Sequence, residues 1–204
     1  MDYSTIVSTL QSWFEDDGSE FEAALPQIIE LAELRIFKDA PNLQAHRTTA
    51  TGNLVNGTAT ITVPTNLRVI RGFSITVSSA QVFLERKVDT YLYDKYPTAT
   101  STAQPRFYAE SNETTLLLGP TPDDTYAYTL YYLRVPTGLS SGNTTTWVGT
   151  NHEDVLLYAA CREAAAFLRD TEATTYWAQR YEEEVTRLGA EVRRTYLNEY
   201  GAGV

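Results

Sequence analysis

The chain has 204 residues, of which 43% are hydrophobic and 21% are charged, and this composition is typical of one large globular domain or two small ones. Its formal net charge is −10, which argues against a surface that wraps nucleic acid with clustered Lys and Arg. Cys161 is the single cysteine, so an internal disulfide and any metal site built from several cysteines are excluded. No apolar run approaches the length that spans a membrane, and no signal peptide opens the chain, so we expect a protein made in a cytoplasm.

The first 45 residues predict two helices. Apolar residues recur at helical spacing after Asp2, which is placed to cap the first helix. An acidic run that starts at Glu15 ends this helix. Pro26 is predicted in the first turn of the second helix, where a missing N–H does no harm. The apolar stripe of the second helix consists of Ile28, Ile29, Ala32 and Ile36.

From about Arg47 the composition changes to Thr, Val, Gly and Pro, which predicts short strands of a sandwich or small barrel. Asn56-Gly57 predicts a hairpin between residues 48–54 and 59–63. A second pair of strands is predicted at 67–77 and 81–87. A short helix follows, from Val88 to Tyr96, and Pro97 ends it.

The stretch from Thr114 to Pro136 predicts a central hairpin of this β-domain. Two runs of β-forming residues flank the segment 119–124, whose glycine and prolines cannot continue a strand. The second run carries no charge on either face until Arg134. A strand of this kind is covered on both faces, either by its own chain or by another subunit.

The last 54 residues again predict helices. Asn151 and Asp154 are spaced like a capping box at the start of one helix. A long final helix follows from about Asp170 and projects roughly 35–40 Å to Tyr196. From Leu197 onward the periodicity stops, and we expect disorder in the free subunit. The final helix carries one apolar stripe, which we expect to pack near the stripe of the second helix: Trp177, Tyr181, Val185, Leu188 and Val192.

These patterns together predict an α+β fold. Helices at both ends, residues 1–45 and 151–204, form one bundle. An antiparallel β-sandwich or barrel-like domain, residues 46–150, is inserted between them.

No residue pattern in the chain predicts catalysis. His46 and His152 are its only histidines, and Cys161 lies on an apolar helical face, where a buried structural thiol is the simpler interpretation. The sequence contains no nucleophile elbow, phosphate-binding glycine loop, zinc-protease motif or Cys-x-x-Cys pair. A pair of catalytic carboxylates among the many acidic residues is not singled out by spacing. We therefore expect no enzyme activity, no cofactor and no metal.

The order and spacing of several stretches resemble the head-to-tail adaptor proteins of tailed bacteriophages, in particular those of short-tailed phages. Together these stretches cover nearly the whole chain. They are residues 21–26 running into 32–36, 54–64, 88–97, Leu116-Leu117-Leu118-Gly119-Pro120-Thr121-Pro122-Asp123, Leu130-Tyr131-Tyr132-Leu133-Arg134-Val135-Pro136, and the helix that starts near Asn151.

The resemblance implies a structural virion protein in the neck of a phage, assembled in the cytoplasm of a bacterial host. Such adaptors form a ring, usually a dodecamer, between the portal protein and the tail nozzle protein, and DNA passes through it without specific binding. We predict that the portal-binding residues are Arg193, Arg194, Tyr196, Leu197 and Tyr200. We predict that the central hairpin faces neighbouring subunits or the tail through Pro120, Pro122, Asp123, Tyr126, Tyr128 and Tyr132.

An alternative of another class is a carbohydrate-binding or host-surface-binding β-module on a helical stalk. In that case Tyr126, Tyr128, Tyr132 and Trp147 would stack on sugar rings. Glycan binding would favour this alternative, and capture by a portal protein would favour the adaptor.

Overall fold

A computed structural model describes residues 1–40 and 43–201, without the side chains of Gln44 and residues 195–201. The chain divides into two compact units. One, the helical unit, consists of Met1–Ala45 and Pro136–Val204, and the other, the β-unit, of His46–Val135. The β-unit therefore interrupts the helical unit in the chain, and the fold is α+β, as predicted.

Fourteen helices and strands and one short 3-10 helix (Gln44–His46) make up the described chain. In order they are α1 (Tyr3–Phe14), α2 (Ser19–Asp39), β1 (Arg47–Asn53), β2 (Thr60–Thr62), β3 (Leu67–Val77), β4 (Ala80–Phe83), β5 (Glu85–Arg86), α3 (Asp89–Lys95), β6 (Phe107–Asn112), β7 (Thr115–Gly119), β8 (Ala127–Arg134), α4 (Trp147–Asn151), α5 (Glu153–Phe167) and α6 (Thr171–Gly201).

Helix α1 begins where the sequence predicts. The Asp2 carboxylate accepts a hydrogen bond from the Thr5 backbone N–H at 2.8 Å, and this bond lowers the pKa of Asp2. Ile6 and Leu10, one helical turn apart, are both buried. The cap and the inward face of α1 are therefore confirmed.

Helix α2 begins earlier than predicted. Gly18 precedes its first residue, and Pro26 is the eighth residue of the helix rather than part of its first turn. The first turn carries Glu20 and Glu22, whose charge is favourable near a helix N-terminus. Phe21 is also buried, one turn before Pro26. Packing and the acidic first turn thus outweigh the single backbone hydrogen bond that a proline removes.

The predicted cap of α5 is wrong. Asn151 is the last residue of α4, and His152 precedes α5 without a side-chain capping bond. The Asn151 side chain instead donates to the Trp147 carbonyl at 2.9 Å, while Thr146 caps α4. A capping pattern read from spacing alone cannot detect that an extra turn of helix occupies the residues before it.

One hydrophobic core fills the helical unit. The stripes of α2 and α6 belong to the same buried cluster, as predicted, and α5 contacts both helices. Tyr181 is fully buried, and its hydroxyl donates to Asp39 Oδ2 at 2.8 Å. The fully buried part of this cluster includes Ile6, Leu10, Phe21, Leu25, Ile29, Ile36, Leu156, Cys161 and Tyr181.

The β-unit consists of two four-stranded sheets. Sheet 1 has the order β1-β8-β3-β4, and sheet 2 has the order β2-β7-β6-β5. All neighbouring strands are antiparallel except β5 and β6. Side chains of both sheets form a single core, in which the ring of Phe73 from sheet 1 meets the ring of Tyr108 from sheet 2 edge-on at 5.5 Å. The unit is therefore a β-sandwich.

Two of the three predicted strand pairs are wrong. The Gly57 turn is present, with φ of +74°, but β1 before it lies in sheet 1 and β2 after it lies in sheet 2. In the same way, β7 and β8 flank the segment 119–124 and lie in different sheets. The predicted central hairpin is thus a crossing between the two sheets, and its two strands are inner strands of separate sheets.

The third strand pair is confirmed as far as Phe83, whereas residues 85–86, predicted in the same strand, form β5 in sheet 2. Strands β3 and β4 are hydrogen-bonded neighbours, joined by Ser78 and Ser79, which both have positive φ. Helix α3 also lies where the sequence predicts it.

Candidate interaction surfaces

The segment between β7 and β8 was predicted to face neighbouring subunits or the tail, but its first half is buried and residues 123–125 are exposed. Pro120, Thr121 and Pro122 are all buried, and the peptide bond before Pro120 is cis. The Pro122 carbonyl accepts from the Gly57 N–H at 2.9 Å, which ties this crossing to the other one. Of the residues predicted as a contact surface here, Asp123 is the exposed one.

The three predicted tyrosines of this region point into the sandwich. Tyr132 is buried and donates to Asn66 Oδ1 at 3.1 Å. Tyr128 meets Phe73 edge-on at 5.5 Å. Tyr126 packs on the same core and donates to Asp123 at 2.7 Å, a bond that raises the pKa of Tyr126 to about 12. Tyr132 is therefore a core residue, while Tyr126 and Tyr128 are half-buried against the same core.

The opposite face of β8 carries an aromatic pair that the sequence analysis did not single out. Tyr131 stacks on Phe83 of β4 with ring centroids 5.8 Å apart, and Phe83 is 61% exposed. Gly72 lies under this pair, since a Cβ there would be 3.5 Å from the Phe83 ring. Gln81 donates both to the Tyr131 hydroxyl and to Ser74. In the sequence, Gln81 and Phe83 alternate with inward-facing Val82, and this alternation indicates that Phe83 faces outward.

A second aromatic cluster lies on the helical unit. Trp177 stacks on Trp13 at 5.4 Å and on Tyr158 at 5.8 Å, and meets Tyr176 edge-on at 4.9 Å. Trp13 and Tyr176 are about half exposed, at 48% and 51%. Trp13 and Trp177 appear in the predicted apolar stripes, yet they form the rim of the core rather than its centre. Large, partly exposed aromatic side chains of this kind are enriched in protein–protein interfaces.

Helix α6 carries the predicted portal-binding residues. Arg193 and Arg194 are exposed on it. The side chains of Tyr196, Leu197 and Tyr200 lie outside the described residues. The backbone remains helical to Gly201, so the expected loss of helical structure from Leu197 is wrong for residues 197–201. Residues 202–204 lie outside the described part of the chain.

Glu33 holds the segment 136–146, here called the connector, against α2. Its carboxylate accepts the Leu139 N–H at 2.6 Å, and Leu139 itself is buried in the helical core. Burial raises the pKa of Glu33, while its bonds to Leu139 and Thr146 oppose that shift. Residues 136–150 were predicted to belong to the β-domain, but they lie in the helical unit.

The candidate catalytic side chains do not form a site. His152 is half-buried beside the Trp147 ring at 5.1 Å, and His46 is buried in the β-unit. Cys161 is fully buried as predicted, and burial raises its pKa to about 12. Among the residues that the structure describes, no group of three or more His, Cys, Asp or Glu side chains is arranged to hold a metal ion.

In the described part of the chain, no helix combines the length and the apolar character that crossing a bilayer requires.

Comparison with known proteins identifies a family that the chain matches. The model of a family described as SU10 adaptor protein matches residues 1–202, which include both the helical unit and the β-unit. A search of curated proteins found no match. Because the family match extends over nearly the whole chain, the chain belongs to the SU10 adaptor protein family and is a structural adaptor protein of a bacteriophage.

Proposed function

We propose that this chain is a subunit of the head-to-tail adaptor of a short-tailed bacteriophage, a ring between the portal and the tail nozzle through which DNA passes. The observation that carries the proposal is the family match along residues 1–202. A ring subunit needs surfaces for its neighbours and for two further partners. The exposed aromatic surfaces around Trp13 and around Phe83, one on each unit, are consistent with such a role.

The C-terminal end of α6 is the proposed portal contact. Leu188 is the last buried residue among the described side chains of the helix, and Val192 is half-buried against the core. The helix then continues to Gly201, roughly 13 Å further at 1.5 Å per residue. This end begins with exposed Arg193 and Arg194, and its sequence continues with aromatic and apolar residues, Tyr196, Leu197 and Tyr200, of the types that bind in a groove between subunits.

The second contact, with neighbours or the tail, is proposed for the crossing between β7 and β8. Asp123 and its neighbour Asp124 are exposed at its tip, and buried Pro120 and Pro122 hold the backbone below them. Tyr126, Tyr128 and Tyr132 support this tip from inside the sandwich. The sugar-binding alternative requires the same tyrosines to be open to a ligand, and their inward packing does not favour it.

Electron microscopy of the purified protein, alone and mixed with its portal protein, tests the ring. We expect closed rings on the portal, and dodecamers if the resemblance extends to subunit number. A protein that neither forms a ring nor joins the portal would contradict the proposal.

Deletion of residues 196–204 tests the portal contact. The truncated chain keeps Tyr181 and Leu188, the buried residues among the described side chains of α6, so we expect an unchanged melting temperature and the loss of portal binding. A matched control replaces exposed Thr186 and Arg187, on the core-packed part of the same helix, with Ala and should bind normally. If the truncated chain binds the portal with unchanged affinity, the end of α6 is not the portal contact and the contact lies elsewhere on the helical unit.

A further inference from the structure

The charge of the chain is divided unequally between its two units. The helical unit contains 19 Asp and Glu against 8 Arg and Lys, a formal net charge of −11. The β-unit contains 7 against 8, a net charge of +1. The negative net charge of the protein therefore comes from the helical unit, whereas the β-unit is nearly neutral and contains as many basic residues as the helical unit.

The basic surface of the β-unit is concentrated in sheet 1. Its four strands contain four arginines and no acidic residue. The strand register places all four at one end of the sheet. Arg47 is opposite Leu133 and Arg134 is opposite Leu67, while Arg68 and Arg71 lie in β3 where it pairs with residues 131–134.

Three of these arginines form what we call the arginine end: Arg68, Arg71 and Arg134. All three are exposed, and no hydrogen bond or ion pair joins their guanidinium groups to another described residue. Exposed Val69 and Val135 lie next to them in the chain. Arg68 also lines a cleft of about 510 Å³ with Glu110 and Glu113, of which Glu110 is paired with Arg86 at 2.8 Å. Unpaired arginines beside apolar side chains are typical of protein interfaces.

The complementary surface is the turn between α1 and α2. Residues 1–34 contain eight acidic residues and no Lys, Arg or His. We call the exposed group Glu15, Asp17, Glu20 and Glu22 the acidic turn. None of these four has an ion pair within the described residues. Half-exposed Trp13 lies two residues before Glu15; its ring stacks on Trp177, and its exposed part is an aromatic surface that a guanidinium can contact.

We propose that the arginine end of one copy binds the acidic turn, with Trp13, of the next copy around the ring. A ring requires a heterologous contact, in which each subunit carries two different surfaces that fit each other. The arginine end and the acidic turn meet that requirement, since one chain carries both and their charges are opposite. This inference rests on the ring proposed above and names the interface that builds it.

A charge-exchange experiment tests the interface on the full-length chain. One variant reverses the arginine end (Arg68→Glu, Arg71→Glu, Arg134→Glu), and a second reverses the acidic turn (Glu15→Lys, Asp17→Lys, Glu20→Lys, Glu22→Lys). Sedimentation at low salt should show self-association of the wild type, weakened at least about tenfold in each variant alone, because like charges then face each other. Mixed one to one, the variants carry opposite charges at every contact and should associate with each other.

A matched control reverses three exposed or half-exposed cations elsewhere in the β-unit: Lys87→Glu, Lys95→Glu and Arg106→Glu. It should self-associate like the wild type. High salt should weaken the wild-type association, since the Debye length falls to about 3 Å at 1 M.

Several outcomes would overturn the interface. They are a wild type that stays monomeric at low salt, a mixture of variants that does not associate, or a control that is as impaired as the arginine-end variant. Binding of a DNA duplex that is lost on reversing the arginine end, without any effect on association, would assign that end to nucleic acid instead. Portal binding is measured separately, so rings formed on the portal by either variant alone would contradict this interface and leave the adaptor role standing.

Discussion

Glu33 is the residue through which pH acts on the helical unit. Burial raises its pKa above the ordinary value of 4.5, so the folded protein holds the Glu33 proton more tightly than the unfolded chain does. The stability contributed by this carboxyl is therefore fully present below about pH 4.5 and is lost as the pH rises through the raised pKa. Ionisation of Glu33 at higher pH therefore lowers the free energy of unfolding of the helical unit.

Glu33→Gln should remove this dependence. The amide oxygen can still accept the Leu139 N–H, but the side chain stays neutral at every pH. We expect the melting temperature of the variant, relative to the wild type, to rise as the pH increases through the raised pKa of Glu33 and then to level off. Glu30→Gln, at an exposed position of the same helix, is the control and should show no such trend. A difference in melting temperature that is constant with pH would contradict the assignment.

Tyr181 supports the core by its ring and by its hydroxyl. Tyr181→Phe removes only the bond to Asp39 and should lower the free energy of unfolding by about 1 kcal/mol. Tyr181→Ala also leaves a cavity and should lower it by about 3–5 kcal/mol. Urea denaturation of the two variants measures both values. Equal effects of the two substitutions would mean that the ring is not packed as described.

Helix α2 tolerates a proline that its own backbone disfavours. Pro26 is exposed in the helix interior, where it removes one main-chain hydrogen bond. Pro26→Ala restores the N–H donor without disturbing the core. We expect a gain of about 1–2 kcal/mol in the free energy of unfolding, since the more flexible unfolded chain offsets part of the benefit. Gln27→Ala, at the next exposed position, should change it little, and a loss of stability in Pro26→Ala would show that the ring of the proline packs against something.

The strands were harder to assign than the helices, for a reason that Gly57 illustrates. Its positive φ marks a reversal of the chain, and the sequence signal for that reversal is local. Which strand lies beside β1 is decided by distant residues, because Arg47–Asn53 pairs with Ala127–Arg134 about 80 positions later. A turn signal in the sequence therefore locates the end of a strand but does not show which other strand pairs with it.

The net charge of the protein predicts how strongly it binds DNA. With 26 acidic and 16 basic residues, most of the surface repels phosphate. We expect the isolated protein to bind a DNA duplex weakly and without the steep salt dependence of a phosphate-neutralising protein. Fluorescence anisotropy with a labelled duplex over a range of salt concentrations measures this. Tight binding that falls steeply with salt would contradict a channel along which DNA slides.

The α+β class, the helix stripes and the short α3 were predictable from the sequence, because each depends on residues within a few turns of one another. The stripe Trp177, Tyr181, Val185, Leu188 identified the inward face of α6 correctly, and Asp2 identified the start of α1. The absence of any catalytic motif and the spacing of the adaptor-like stretches pointed to a structural protein, which the family match shows.

Only the tertiary structure decided which tyrosines face the core and which face outward. The two faces of β8 are both uncharged, so alternation alone could not tell Tyr132, which is buried between the sheets, from Tyr131, which stacks on Phe83. It also decided that β7 and β8 belong to different sheets, because buried Pro120 and Pro122 carry the chain across the sandwich instead of turning it back. Helical periodicity is a property of neighbouring residues and can be read from the chain, whereas strand partners and the buried face of a two-sided strand depend on what the rest of the molecule places against them.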